Sequence, residues 1–87
     1  MAKVVFDENL VTLEDLIAQE RGRTITETAK FLAKFVVGDN DEELSAQERY
    51  QFIISRTLPE GRAITAAFHR FMGGVKENAV PPQSATP

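Results

Sequence analysis

His69 is the only histidine in the chain, and therefore the one side chain whose ordinary pKa suits proton transfer near neutral pH. A general base also needs a nucleophile or an orienting carboxylate within hydrogen-bond reach, and no motif in the sequence supplies either. On a helical wheel His69 falls with Arg62 and Lys76, away from Phe68 and Phe71, which places it on a solvated face. Asp39, Asp41 and Glu43 alternate as calcium ligands do. A calcium loop, however, needs glycine at its sixth position and a bidentate glutamate at its twelfth, where this chain has Tyr50. The glycines are scattered, with no phosphate-cradling pattern after a strand. Absence of cysteine excludes thiolate metal ligands, a cysteine nucleophile and disulfide staples. The chain carries no catalytic or metal-ligating constellation and implies no cofactor; it reads as a non-enzyme.

The elements that would position any functional surface are announced by capping boxes, in which a Ser or Thr is followed three residues later by an acid. Thr12 pairs with Asp15, Thr24 with Glu27, Ser45 with Glu48 and Thr57 with Glu60. The hydroxyl accepts from the third helical N–H and the acid reaches back to the cap's own N–H, so two orphaned donors are satisfied together. The expected fold is all-α, a compact bundle of about four short helices. Residues 1–9 form an N-terminal arm, 10–77 the helical domain, and 78–87 a flexible tail containing three of the four prolines. The arm run Ala2 to Phe6 is β-prone, but nothing else reads as a strand to pair with it.

Apolar spacing assigns the inward faces. Leu13, Leu16 and Ile17 form the stripe of the first helix, which should stop at Gly22. The second should bury Ile25, Ala29, Leu32, Phe35 and Val36 and end at Gly38. Tyr50, Ile53, Ile54 and Thr57 or Leu58 serve the third, and Ile64, Ala67, Phe68, Phe71 and Val75 the fourth, which the Gly73-Gly74 pair should weaken. Phe31, Phe52 and Met72 lie at the margins of these stripes or outside them, and Val37 falls clear of its own. Contiguous exposed apolar surface marks a partner site, so Phe31, Val37, Phe52 and Met72 are the candidate partner-binding residues.

With 87 residues and 43% hydrophobic content, the chain is one domain in the size range where a single core gives a few kcal/mol of net stability, so a partner or homo-oligomer fits. The net charge of −3 argues against a general nucleic-acid binder. The charge is uneven: residues 1–55 carry six Lys/Arg against eleven Asp/Glu, and residues 56–87 four against two. A helix-turn-helix reading of the last two helices puts Arg62, His69, Arg70 and Lys76 on a basic side. The turn that would meet the bases holds Pro59, Glu60 and Gly61 instead. No apolar run reaches the ~18 residues of a membrane span, so the expectation is a soluble cytoplasmic protein.

From Thr12 onward the order of features resembles the small tail assembly chaperones of long-tailed, siphovirus-like bacteriophages. The opening helix Thr12-Leu13-Glu14-Asp15-Leu16 is similar to theirs. The apolar run Phe31 to Gly38 leads into an acidic turn at Asp39, a Ser-led helix follows from Ser45 to Glu48, and the tail carries Ala79-Val80-Pro81-Pro82. The resemblance covers residues 10–82. It implies a non-enzymatic protein of the host cytoplasm that binds a tape-measure protein during tail assembly, meets tail-tube subunits, and exists beside a longer frameshifted form. Two rival readings are a small DNA-binding or regulatory helical module and a host-directed inhibitor that acts by occlusion.

Overall fold

The computed structural model of the protein describes residues 2–79. In chain order the elements are strand β1 (Ala2–Val4), a 3-10 turn (Glu8–Leu10), helices α1 (Leu13–Arg21) and α2 (Ile25–Ala33), strand β2 (Val36–Gly38), a second 3-10 turn (Asp39–Asp41), and helices α3 (Ala46–Ile54) and α4 (Leu58–Ala79). The fold is mostly helical but not all-α. β1 and β2 pair antiparallel, with Ala2 opposite Gly38, Lys3 opposite Val37 and Val4 opposite Val36. α4 is also not short. Its 22 residues run unbroken through Gly73-Gly74 and past the expected boundary at residue 77. Two glycines cost roughly 1 kcal/mol each relative to alanine, and burial of Phe68, Met72 and Val75 on either side of the pair offsets that. Of the tail expected over residues 78–87, residues 78 and 79 belong to α4 and residues 80–87 lie outside the described residues.

All four capping boxes form. In the first, the Thr12 N–H donates to Asp15 Oδ2 at 2.9 Å and the Asp15 N–H to Thr12 Oγ1 at 3.2 Å. The Thr24–Glu27, Ser45–Glu48 and Thr57–Glu60 pairs repeat the exchange. α1 ends at Gly22, which takes φ 93°, a conformation that a side chain would strain. α2 stops earlier than its apolar stripe suggests. The Lys34 and Phe35 N–H groups tighten onto the Phe31 and Leu32 carbonyls at 3.1 and 3.0 Å, and the chain leaves the helix for β2. The reason is the run Phe35-Val36-Val37, aromatic and β-branched, which can bury one face in a pleated pair with the arm. Gly38 closes the strand because Cβ there would sit 2.8 Å from both Cβ and the carbonyl oxygen of Glu42.

The core is built on phenylalanine. Phe35, fully buried, lies 5.2 Å from Phe6, 5.4 Å from Phe31 and 5.4 Å from Phe71 between ring centroids, and Phe68 lies 5.5 Å from Phe31. Phe6 also stacks on Phe71 at 5.1 Å, so the arm belongs to the core and does not merely cross it. α1 buries no residue fully. It is held by Leu16 packing against the core, by a 2.7 Å ion pair between Asp15 and Lys34, and by Arg23 donating to the Asp15 carbonyl. Several sequence assignments are corrected here. Ile25 is 91% exposed, and Leu13, Ile17, Ile54 and Leu58 are exposed as well, because each lies at the end or on the outer side of a helix that no other described element covers.

Two outcomes follow. Phe35→Ala should cost about 3–5 kcal/mol, and removal of residues 1–6 should lower the melting temperature by more than about 10 °C, both read by thermal melts; an arm that can be deleted without loss would contradict the core described. The second outcome is pH dependence. Hydrogen bonds from the cap residues hold the Glu27, Glu48 and Glu60 carboxyls below their usual value. Burial raises that of Asp15, but bonds from Lys34 and Thr12 outweigh it and the net direction is down. Stability from a depressed carboxyl is complete above the unfolded-chain value of about 4 and is lost as pH falls through the folded value beneath it. Melting temperature should therefore fall as pH drops below about 4, and more shallowly in a variant with Glu27, Glu48 and Glu60 replaced by glutamine; identical profiles would mean that the boxes contribute nothing in solution.

Candidate functional site

The four residues expected to bind a partner do not form a surface. Phe31 and Met72 are 5% and 3% exposed, inside the core. Phe31 is buried because its ring is sandwiched into the phenylalanine cluster and covered by the Arg23 guanidinium, 4.3 Å above it. Phe52 is half-buried beneath the Arg56 guanidinium at 4.1 Å. Val37 is 38% exposed on β2, opposite Lys3. Of the four, Val37 alone is among the exposed large apolar residues.

Of the eight described large apolar residues that are exposed, Ile25, Ile54 and Leu58 line an open groove of about 920 Å³, and Val5, Leu10, Leu13, Ile17 and Val37 lie outside it. One wall is the end of α1 and the first turns of α2; the other is the end of α3 and the first three turns of α4. Its floor reaches the core at Leu32, Ile53 and Phe68. Its lips carry Ile25, Ile54 and Leu58, the last 76% exposed. Small residues keep it open: a Cβ added at Gly61 would meet nothing within 4 Å. Leaving Ile25 and Leu58 in water forgoes about 1.5–3 kcal/mol each relative to full burial, a cost that a partner recovers by covering them.

The groove is also charged with one sign. Arg23, Arg56, Arg62 and His69 are among its lining residues, with no Asp or Glu. Arg23 donates to the Gln19 side-chain oxygen and the Asp15 carbonyl, and Arg56 to the Phe52 carbonyl at 2.9 Å, so neither guanidinium is hydrogen-bonded to a carboxylate. The nearby acids Glu27 and Glu60 accept from the caps at Thr24 and Thr57 through Oε1 and interact electrostatically with Arg23 and Arg56. His69 stands at the groove edge with its ring 5.6 Å from Phe68. Among the described residues, no group of three or more His, Cys, Asp or Glu is placed to hold a metal, and no helix is long and apolar enough to cross a membrane.

One signal in the sequence marked this site. Ile25 and Leu58 each directly follow a capping threonine, at the first helical position, where the end of the helix extends past its neighbour. Compared with protein-family models, with curated proteins and with solved structures, the chain finds no match.

The geometry reverses the expected mutational pattern. Ile25→Ser and Leu58→Ser should change stability by no more than about 0.5 kcal/mol, whereas Phe31→Ala and Met72→Ala should each cost about 2–5 kcal/mol. Denaturant melts of the four variants measure this, and a severe loss at Ile25 would place it under cover that the structure does not show.

Proposed function

We propose that the protein is a non-enzymatic binding factor that holds an apolar helical segment of another protein in the groove between α1/α2 and α3/α4. The observation that carries this reading is the convergence of exposed Ile25, Ile54 and Leu58 around one open cleft whose floor is the core itself. Exposed apolar surface of this kind marks an interaction site, and an amphipathic helix laid into a groove is the recurrent way to cover it. The resemblance of residues 10–82 to small tail assembly chaperones supplies the setting. In that setting the partner is a tape-measure protein, whose long apolar helices need shielding before the tail tube closes around them.

Co-expression with a long coiled-coil-rich protein encoded beside this one tests the proposal. The partner should be soluble and recovered in complex with this chain, and Ile25→Ser with Leu58→Ser should reduce recovery while the melting temperature holds. Absence of a complex, together with duplex DNA binding that weakens steeply with salt and is lost on Arg62→Ala, would favour the regulatory reading instead.

A further inference from the structure

We infer that the groove selects an amphipathic helix with acidic flanks, not apolar helices in general. The inference rests on the binding reading above and adds the chemistry that defines the partner. In a chain of net charge −3, the groove lining contains three arginines, one histidine and no acid. The carboxylates therefore lie outside the lining, and the nearest of them, Glu27 and Glu60, act on Arg23 and Arg56 from the helix caps. Arg23 stands on the α1/α2 side, and Arg56 and Arg62 on the α3/α4 side, so the cations border the apolar strip on both edges.

Two of these cations are already in place. Arg23 is fixed above Phe31, and Arg56 above Phe52, with their bonds going to carbonyl and amide oxygens and, for Arg56, to the Ser55 hydroxyl. A guanidinium held by stacking loses less side-chain freedom when a carboxylate arrives, and its planar fork suits carboxylate geometry. A fitting partner presents apolar residues at i, i+3, i+4 and i+7 to Ile25, Ile54 and Leu58, with Glu or Asp on both borders of that stripe. The apolar residues supply affinity, and the rim supplies discrimination and rate, since exposed ion pairs are individually weak and screened by salt. Basic flanks would set like charges against the rim.

The test uses two synthetic helical peptides with the same leucine stripe, one flanked by Glu and the other by Lys, bound to the full chain and followed by fluorescence anisotropy. The Glu peptide should bind about tenfold more tightly at low salt, the preference should shrink at high salt, and Arg62→Gln should reduce it without moving the melting temperature. Gly61→Phe should fill the groove and abolish binding of both peptides in a folded protein. Equal affinity for the two peptides, both blocked by Gly61→Phe, would overturn charge selection and leave the groove reading standing. Failure of both peptides to bind would overturn both. Concentration-dependent self-association, lost in Gly61→Phe and in Leu13→Ser alike, would assign the groove to α1 of a second copy and overturn the inference.

Discussion

The fold depends on the seating of Phe35. Its ring meets Phe6 from the arm, Phe31 from α2 and Phe71 from α4, and its carbonyl accepts a 2.8 Å hydrogen bond from the Val5 N–H. Ring packing and strand pairing therefore reinforce each other at one residue. Aromatic contacts at these separations add to the area they bury, and strands of three residues each are too short to persist without such support. Drawing α2 to an early end so that Phe35 can turn inward also moves Phe31 and Phe68 into the core. The large apolar residues that remain uncovered lie on the outer side of α1, in the first turns of α2 and α4, at the end of α3, and at Val5, Leu10 and Val37.

The groove is thus a consequence of where the core is placed. Leu32, Ile53 and Phe68 belong to both, serving as core on one side and groove floor on the other. A partner that covers Ile25, Ile54 and Leu58 extends the existing core and needs no new one. The arginine rim follows the same logic, because Arg23 and Arg56 rest on core aromatics and keep their charge at the edge of the opening. In the chaperone reading, shape is contributed by the bundle and recognition by this border.

The helix starts were legible from local chemistry alone, because a capping box involves only residues three apart. The identities of Phe35, Val36 and Phe68 as core residues were also legible, since each is flanked by apolar neighbours. The strand pair was not. Phe35 and Val36 fit the 3.6-residue period of α2 as well as they fit a strand, and a run this short cannot be assigned by periodicity. The partner that decides the matter lies more than thirty residues away in the arm. The groove was not legible in the apolar spacing: the surplus of apolar residues pointed to exposed apolar surface, but the wheel set Phe31 and Met72 at the margins of the buried stripes and Ile25 and Ile54 inside them. Wheels describe direction around an axis and say nothing about where along the axis the neighbouring helix ends.

A methyl-resolved NMR titration with the Glu-flanked leucine-stripe peptide is the sharpest check on the groove. The account predicts shifts at the methyls of Ile25, Ile53, Ile54, Leu58 and Ile64, with those of Leu13 and Ile17 unmoved. Shifts confined to Leu10, Leu13 and Ile17, with the groove methyls unchanged, would contradict it.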